Sequence, residues 1–432
     1  MQTSLRGIAN RAASDKEHRF RNLYGMLNEE NLRWCWQFLR KEAAPGIDRV
    51  DYKEYQSNLS SNVHDLVERL KGKRYRARLV RRHYIPKPNG KLRPLGIPTT
   101  EDKLLQLAVA KILEAIYEQD FLGCSYGYRP GRSPHDAVKA LTDELQYGRY
   151  CWVVEADIKG FFDNIDHDWL VRMLEERIDD KPFLRLIRKW LKAGILDTDG
   201  QVIHPATGTP QGGIVSPILA NLYLHYALDL WFEKKVKPAC QGSALLIRFA
   251  DDFVCAFQDR TDAELFMEEL GTRLGKFGLE TAPDKTRLLR FCRYDLTGSG
   301  RFDFLGFEFR WEGGRNGGRF VKRRTSRKKL RASIANFTAW IKKERHQKIS
   351  RLFATLNSKY RGYWNYYGVI GNSASLQRFF YITQRLLFKW LNRRSQRRSY
   401  TWDGFNVLVT TSFQVERPRI TEYAGHVQLA LL

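Results

Sequence analysis

The sequence predicts an α+β fold with a small antiparallel sheet and an all-helical C-terminal region. Two apolar runs of strand length lie within residues 244–257 and flank Asp251 and Asp252, which favours a β-hairpin with two acids at its tip. A further strand covers residues 150–158 and carries Asp157 near its end. From residue 325 onward the apolar residues follow one face of a helix, namely Leu330, Ile334, Phe337 and Ile341.

The remaining elements follow from apolar spacing and turn residues. Helices are predicted within 14–43 and over about 52–71, 101–118, 135–147, 167–193, 218–233 and 261–277. A β-hairpin is predicted over 84–98 with its turn at Asn89-Gly90, and short strands are expected within 279–291 and at 302–310. The glycine-rich stretch 313–318 is predicted to be a linker, and the Arg-rich residues 1–11 favour a first helix over a transit peptide.

The charge of the chain predicts a polyanionic partner. Lys and Arg number 73 against 48 Asp and Glu, which gives a net charge of +25. Residues 315–398 contain 23 Lys and Arg and one acid, Glu344, while residues 71–93 contain ten Lys and Arg and no acid. Such clusters exceed what solubility requires and indicate nucleic acid rather than an acidic membrane surface.

Cysteine usage and hydropathy indicate an intracellular protein. The six Cys have no paired metal spacing and follow no secretory leader, so the predicted setting is reducing, with Cys151 and Cys255 packed as thiols. No apolar run reaches the roughly 20 residues that span a bilayer, so we expect no membrane partner.

The acids at the strand ends are the candidate catalytic groups. Adjacent carboxylates such as Asp251 and Asp252 repel each other, and a hard divalent cation between them removes that repulsion. If the strand that carries Asp157 is a sheet neighbour, three carboxylates meet at one edge, as two-metal phosphoryl transfer requires. Taken alone, the pair also fits a solvated turn and Asp157 an N-cap, while Asp163 and Asp166 favour surface positions.

Seven segments stand in a recognisable order along the chain. They are Ile85-Pro-Lys-Pro with Arg93-Pro-Leu-Gly-Ile-Pro98, Tyr126-Gly-Tyr-Arg-Pro-Gly-Arg132, Ala156-Asp-Ile-Lys-Gly-Phe-Phe-Asp-Asn-Ile165, Thr209-Pro-Gln-Gly-Gly-Ile-Val-Ser-Pro217, Phe249-Ala-Asp-Asp252, Lys285 and Phe304-Leu-Gly-Phe307. This series resembles the successive sequence blocks of bacterial group II intron reverse transcriptases, also called maturases. With Trp364-Asn-Tyr-Tyr-Gly368 the resemblance covers nearly the whole chain.

The resemblance implies a right-hand polymerase with fingers, a palm that holds the small sheet, and an all-helical thumb. Residues 1–71 would form an N-terminal extension and the start of the fingers, 72–310 the reverse transcriptase fingers and palm, and 311–432 the basic thumb or X (maturase) domain with a short tail. The implied function is RNA-directed DNA synthesis, together with binding of group II intron RNA that assists splicing and retromobility. The implied partners are intron RNA, an RNA template with a DNA or RNA primer, and target DNA, in the bacterial cytoplasm or associated with the nucleoid or a ribonucleoprotein.

The resemblance also implies roles for individual residues. The catalytic and metal-binding set would be Asp157, Asp251 and Asp252 with the backbone carbonyl of Ile158, holding two Mg²⁺ ions for which Mn²⁺ can substitute. Phe162 would pack under the sugar and exclude a 2′-hydroxyl. The residues that would bind the incoming deoxynucleotide are Lys87, Arg93, Phe162, Gln211 and Lys285. The thumb residues that would bind nucleic acid are Arg323, Arg324, Arg327, Lys328, Lys329, Arg393 and Arg394.

Two departures from the family pattern affect these expectations. Phe249 stands where relatives usually carry Tyr, so we expect altered efficiency or fidelity without loss of activity. About 30 residues follow the predicted thumb and contain no Cys/His cluster like that of the family's endonuclease domain. The expectation is a compact, endonuclease-lacking member that cannot cut its own second-strand primer.

Two other functions fit the same residues. The chain could act only as an RNA clamp that stabilises a folded intron while its polymerase site idles, or as a polymerase without an intron, recruited to repair or phage defence. The intact acids, together with Lys87 and Arg93, favour a working polymerase over the clamp. Ribozyme secondary structure in the flanking DNA would distinguish an intron-associated protein from a recruited one.

Overall fold

The computed structural model describes residues 1–86, 92–209, 212–295, 298–314, 317–395 and 399–422. The chain divides into two compact units. The first unit comprises Met1–Ser133, Ala156–Cys255 and Thr261–Arg287, and the second comprises Pro134–Glu155, Ala256–Arg260 and Leu288–Leu432. None of the described helices is long and apolar enough to cross a bilayer.

The regular elements before residue 148 are helices and one hairpin, joined by irregular segments. Its helices are α1 (Gln2–Ser14), α2 (Glu29–Trp36), α3 (Tyr52–Ser57), α4 (Leu59–Lys71), α5 (Thr100–Tyr117) and α6 (Pro134–Tyr147). Strands β1 (Val80–Pro86) and β2 (Leu92–Ile97) pair antiparallel. Three of these helices begin where the sequence supplies a side-chain cap, since Asn28, Asp51 and Thr99 each accept a hydrogen bond from a backbone N–H of the first turn.

The middle of the chain alternates strands with buried helices. In order these elements are β3 (Trp152–Asp157), α7 (His167–Glu175), α8 (Lys181–Leu191), β4 (Ile195–Leu196), β5 (Val202–Ile203), α9 (Ser216–Leu224), α10 (Lys237–Ala239), β6 (Ala244–Phe249), β7 (Asp252–Phe257), α11 (Arg260–Gly275) and β8 (Arg287–Arg290). Two π-helical segments, His225–Asp229 and Phe232–Val236, lie between α9 and α10. The strands form two four-stranded sheets with the orders β2-β1-β4-β5 and β6-β7-β3-β8.

The C-terminal part combines a three-stranded sheet with helices. Strands β9 (Phe302–Phe304), β10 (Phe307–Gly313) and β11 (Arg319–Thr325) pair antiparallel in the order β11-β10-β9. The helices that follow are α12 (Arg327–Glu344), α13 (Ile349–Tyr367), α14 (Ser373–Leu391) and α15 (Trp402–Val407). Their apolar faces form one core, in which Phe337, Ile341, Tyr360, Trp364 and Phe379 are buried. This burial explains the helical spacing of the apolar residues in a segment that is otherwise strongly basic.

The structure confirms the mixed α and β composition, the hairpin that carries Asp251 and Asp252, and the helical end of the chain. The predictions for residues 313–318 and for Cys151 are wrong. The stretch 313–318 is not a linker, because Gly313 pairs with Arg319 and the Gly314 N–H donates to the Gly318 carbonyl (2.6 Å), so its described residues belong to the hairpin of β10 and β11. Cys151 is not a free thiol, because it forms a disulfide with Cys292 in the second unit. The predicted domain boundaries stay predictions.

Candidate active site

Three carboxylates meet at one end of the four-stranded sheet β6-β7-β3-β8. Strand β3 ends at Asp157, and Asp251 and Asp252 form the tip of the β6–β7 hairpin. Strands β3 and β7 are hydrogen-bonded neighbours, and the Cys151 N–H just before β3 donates to the carbonyl of Phe257 at the end of β7 (2.9 Å). The two strands therefore run antiparallel, and the end of β3 lies beside the start of β7. The convergence expected from the sequence is present in the first unit.

Asp251 is in an environment that disfavours its negative charge. Burial raises the pKa of the Asp251 carboxyl, and the nearby charge of Asp157 raises it further. The positive charges of Arg93 and Lys285 act in the opposite direction and lower this pKa. A backbone hydrogen bond to the Asp251 carboxylate also lowers this pKa. Two neighbouring carboxylates in a partly buried place, with cations beside them, are the electrostatic setting in which a metal ion is bound.

Lys285 supplies one of those cations. The chain after α11 pairs with the end of β3, since Thr281 bridges to Ile158 and the Ala282 N–H donates to the Asp157 carbonyl (2.8 Å). The Lys285 ammonium, on the next turn, forms an ion pair with the Asp157 carboxylate. The hydrogen bond to Asp157 raises the pKa of Lys285, and all three carboxylates contribute to the same shift. A positive group therefore stands at the place where the sequence predicts a divalent ion.

The donor atoms at this site suit a hard divalent ion. Carboxylate and carbonyl oxygens are the ligands that Mg²⁺ takes, and Asp157, Asp251 and the neighbouring Ile158 carbonyl provide them. The described residues contain no ready-made cluster of three or more Asp, Glu, His or Cys side chains that could hold an ion. The Lys285 ammonium neutralises the Asp157 carboxylate at this place. A divalent cation could neutralise the same carboxylate, so the residues present fit such an ion.

The hairpin tip is held by one buried arginine. Arg248 is 0% exposed and donates from all five of its N–H groups. Two of them bind the Asp229 carboxylate (2.7 and 2.5 Å), and the others bind Asn221 Oδ1 (3.1 Å), Ser125 Oγ (2.8 Å) and the Ala250 carbonyl (2.9 Å). Ala250 has a left-handed φ of +57°, which a non-glycine residue adopts at a cost, so the bond to its carbonyl stabilises a strained turn directly before Asp251.

The loop that precedes α6 packs against this turn. A Cβ on Gly127 would overlap the Ala250 backbone nitrogen, so only glycine allows the approach. The Asn221 Nδ2 group donates to the Gly127 carbonyl (2.6 Å). Arg129 fixes the loop on its other side, because its guanidinium donates to the Glu118 carboxylate (3.0 Å) and to the carbonyls of Leu122 and Ser125. The loop is therefore fixed at both ends of its contact with the hairpin.

Tyr128 is the residue that this loop presents. It has a left-handed φ of +58° and remains 47% exposed. Burial raises the pKa of its hydroxyl, and after burial the charge of Asp251 contributes most, with a smaller opposite effect of Arg93. An exposed aromatic ring held in a strained backbone beside the candidate catalytic carboxylates is a candidate substrate contact. Tyr128 lies in the segment Tyr126–Arg132, and its residue type and position in the sequence predicted no role for it.

Phe162 follows Asp157 by five residues and differs from its neighbour Phe161 in burial. The 3₁₀ turn Phe161–Asp163 follows Gly160, which has a φ of +57°. Phe161 is buried in the core, whereas Phe162 is only half-buried. The Phe162 carbonyl accepts a hydrogen bond from the Thr209 N–H (2.8 Å). The partly exposed ring is consistent with a role at the sugar, and that role stays a prediction.

The predicted nucleotide-binding residues are described in part. Arg93 lies exposed on β2, opposite Ile85, and its charge reaches Asp251. Lys87 and Gln211 lie outside the described residues. Gly212, next to Gln211, has a φ of +114°, and a Cβ there would lie 2.6 Å from the Gly96 carbonyl oxygen on β2. Gly212 therefore lies against β2, the strand that carries Arg93.

The predicted nucleic-acid-binding residues of the second unit fall into two groups. Arg323 and Arg324 pair with acids, Arg323 with Glu422 (2.7 and 3.0 Å) and Arg324 with Glu308 (2.7 Å). The residues that remain exposed are Arg327, Lys328, Lys329 and Arg393. Arg394 donates to the Gln347 carbonyl (2.7 Å). Phosphate contacts are thus expected first from the exposed row at the start of α12.

Comparisons with known families agree with this geometry. Residues 85–309, more than half of the chain, match the reverse transcriptase (RNA-dependent DNA polymerase) family. Residues 323–405 match the group II intron maturase-specific domain. The first match contains every acid of the candidate site, and the second contains α12, α13 and α14.

Individual relatives cover the chain to different extents. Protein YkfC of Escherichia coli is 32% identical over 319 residues, which is 66% of this chain and 83% of that protein. The group II intron-encoded protein LtrA of Lactococcus lactis is 48% identical over 176 residues, 40% of this chain and 29% of that protein. The 91 kDa protein in the cob intron of Schizosaccharomyces pombe is 40% identical over 217 residues, 49% of this chain and 26% of that protein.

Proposed function

The chain belongs to the reverse transcriptase family of RNA-dependent DNA polymerases and carries a group II intron maturase-specific domain, and from this premise we propose how it works. We propose that it adds deoxynucleotides to a primer on an RNA template and binds group II intron RNA to assist splicing and retromobility. The observation that carries the polymerase half is the meeting of Asp157 with Asp251 and Asp252 at one sheet end. The observation that favours the RNA-binding half is the exposed basic row at the start of α12.

Asp157 and Asp251 would hold the ions, with the Ile158 carbonyl as a further ligand and Asp252 in a less direct position. Two Mg²⁺ ions bound there would lower the pKa of the primer 3′-hydroxyl and would stabilise the leaving pyrophosphate. Arg248 positions the turn before Asp251, so that the carboxylate needs no reorganisation when substrate arrives. Mn²⁺ would be accepted by the same oxygen ligands.

The cations around the acids would hold the triphosphate. Arg93 faces Asp251 from β2, and Lys87 would join it from the turn of the same hairpin. Fixed guanidinium groups stabilise phosphate charge in the transition state. Lys285 would serve the departing pyrophosphate once it no longer neutralises Asp157. The half-buried Phe162 ring would lie under the sugar, where it leaves no space for a 2′-hydroxyl.

The larger architecture follows the same proposal. Residues 72–310 would form the fingers and palm of a right-hand polymerase after the extension 1–71, and residues 311–432 the thumb. RNA template, primer, intron RNA and target DNA would be the partners, and Gln211 would lie near the nascent base pair. The cytoplasm, with nucleoid or ribonucleoprotein association, is the proposed location.

Primer extension tests the proposal. Purified protein with poly(rA)/oligo(dT) and Mg²⁺ should extend the primer, and Asp251→Asn should abolish extension while RNA binding stays near that of the wild type, because metal binding and phosphate binding use different residues. No extension by the wild type would leave the RNA-clamp function in its place. Equal loss of extension and RNA binding in Asp251→Asn would contradict the separation of the two activities.

A further inference from the structure

An open, shallow cleft lies entirely within the second unit. It has a volume of about 560 Å³ and is lined by Gln146 and Tyr147 at the end of α6, Arg293 and Tyr294 after β8, and Arg319 at the start of β11. None of these residues belongs to the acidic site, and the sequence analysis gave them no role. The lining therefore combines two tyrosines, two arginines and one amide side chain.

The two tyrosines are unusually exposed. Tyr147 is 79% exposed and Tyr294 is 73% exposed, and these are the two highest values among the large hydrophobic side chains of the described residues. Single exposed apolar residues are ordinary on protein surfaces. Here, however, the two most exposed rings line the same cleft, and two exposed aromatic rings that share one site are suited to stacking with a flat ligand.

The cations of the cleft are held in place. The Arg319 Nη1 group donates to the Arg293 carbonyl (2.5 Å), and the Arg293 guanidinium lies over the Trp311 ring, 5.5 Å from its centroid. No acid is among the lining residues. The adjacent Asp295 forms an ion pair with Arg290 (3.1 Å), which offsets its charge. The cleft therefore offers a positive potential to a ligand.

The walls of the cleft are also fixed. The Gln146 side chain bridges α6 to β11, because its Nε2 donates to the Arg319 carbonyl (3.1 Å) and its Oε1 accepts from the Val321 N–H (2.7 Å). The Phe291 N–H donates to the Cys151 carbonyl (2.7 Å), which attaches the segment before Arg293 to the residue before β3. A site whose backbone is held in this way loses little conformational entropy on binding.

We propose that this cleft binds a single-stranded segment of RNA, with bases stacked on Tyr147 and Tyr294 and phosphates on Arg293 and Arg319. Aromatic rings between fixed cations are the features by which proteins bind single strands without reading their sequence. Bases in a duplex are stacked on each other and cannot offer their faces, so a double strand does not fit. The choice of RNA over single-stranded DNA rests on the proposed function.

The experiment uses the full chain and a 12-nucleotide single-stranded RNA of mixed sequence that contains 4-thiouridine. Ultraviolet crosslinking and mass spectrometry should identify peptides that contain Tyr147 or Tyr294. The double variant Tyr147→Ala/Tyr294→Ala should lose these crosslinks and bind the RNA at least about fivefold more weakly, since stacking on one aromatic side chain changes affinity by about that factor or more. Tyr147→Phe/Tyr294→Phe keeps both rings and should bind like the wild type.

Matched controls separate this site from general effects. Phe38→Ala removes a comparably exposed ring (55%) from the first unit and should leave RNA affinity unchanged. Arg319→Gln should weaken binding and reduce its salt dependence. Wild-type affinity and crosslinks in the double alanine variant would overturn the proposal and leave a protein partner for the cleft. Equal weakening for blunt double-stranded RNA would refute stacking, and equal weakening for single-stranded DNA would refute the choice of RNA.

Primer extension makes failure of this inference distinguishable from failure of the proposed function. At saturating primer and template, Tyr147→Ala/Tyr294→Ala should retain wild-type kcat, because neither tyrosine belongs to the candidate acidic site. If the wild type extends primers but the double variant binds RNA normally, the cleft proposal fails and the polymerase stands. If the wild type does not extend primers, the RNA affinities of the variants still decide whether the cleft binds a single strand.

Discussion

The buried Arg248 network allows the stability of the site and its geometry to be tested separately. Arg248→Met removes five donors from a fully buried place and leaves the Asp229 carboxylate without its partner. Removing one member of a buried ion pair costs about 3–5 kcal/mol, and the acceptors on Asn221, Ser125 and Ala250 lose their donor as well. We therefore expect a loss of at least about 4 kcal/mol in the free energy of unfolding. This is a large part of the about 5–15 kcal/mol by which a domain is stable.

The double variant Asp229→Leu/Arg248→Met distinguishes the two roles. Replacing both members of a buried pair by apolar residues is often nearly neutral, so most of the lost stability should return. The Ala250 carbonyl still lacks its donor, and the strained turn at φ +57° is then free to relax. A displacement of about 1 Å of a catalytic group can cost about 100-fold in rate. We therefore expect a folded protein whose kcat is reduced by about 10- to 100-fold.

Urea unfolding and primer extension measure the two quantities. A matched control is Asp120→Leu/Arg177→Met, because Arg177 is also buried, lies 3.0 Å from the Asp120 carboxylate and has no contact with the hairpin among its described partners. The control pair should change stability to a similar extent while kcat stays within about twofold of the wild type. A folded Asp229→Leu/Arg248→Met variant with wild-type kcat would refute positioning by Arg248 and leave it a structural role.

Three further predictions concern the nucleotide site and the pH dependence of folding. Phe162→Val should let ribonucleotides be incorporated, because it opens space beside the 2′ position, and unchanged discrimination in a single-nucleotide extension assay would remove Phe162 from that role. Tyr128→Ala should raise the KM for the incoming nucleotide by about fivefold or more while Tyr128→Phe leaves it unchanged, since we expect the ring rather than the hydroxyl to contact substrate; equal effects of both variants would refute this. Burial lowers the pKa of His225 to about 4, so the unfolded chain, whose histidine titrates near 6.5, binds more protons between these values. The contribution of neutral His225 to the free energy of unfolding is therefore fully present above about pH 6.5 and decreases on acidification, by about 2 kcal/mol at pH 5. The variant His225→Phe should remove this part of the difference between urea unfolding at pH 7 and at pH 5. A pH dependence equal to that of the wild type would show that His225 is not the titrating group.

The strands and acids of the site could be predicted because their signal is local. The apolar runs around Asp251 and before Asp157 need only a period of two and a polar end to predict strands with acids at their tips. Helix ends were similarly accessible, as at Thr99, which accepts from the Asp102 N–H (3.1 Å) at the start of α5. The pairing of β3 with β7 was not local, and it came from the resemblance to a known family.

Predictions failed where a distant partner overrides local spacing. Leu23 and Leu27 have helical spacing, yet residues 15–23 are not helical. The Phe20 backbone bridges to Ile178, and the Tyr24 N–H donates to the Asp180 carboxylate (2.9 Å). Both partners are more than 150 residues away in the chain. The apolar spacing was real, but it reflects burial of individual leucines in an irregular segment.

Residue type alone also did not show which cations are available to a ligand. The segment 315–398 carries almost no acid of its own, so every Arg in it looked free. In the structure Arg323 binds Glu422 and Arg361 binds Glu416 (3.1 Å), and both acids lie beyond the segment in sequence. Arg248 is the same residue type in the opposite situation, since its charge is wholly used inside the protein. The cations that can bind phosphate are therefore those with no carboxylate close to them in the folded protein. This property depends on tertiary structure. The sequence alone did not distinguish Arg293 and Arg319 from the other cations, whereas in the structure they line the same cleft as the exposed rings of Tyr147 and Tyr294.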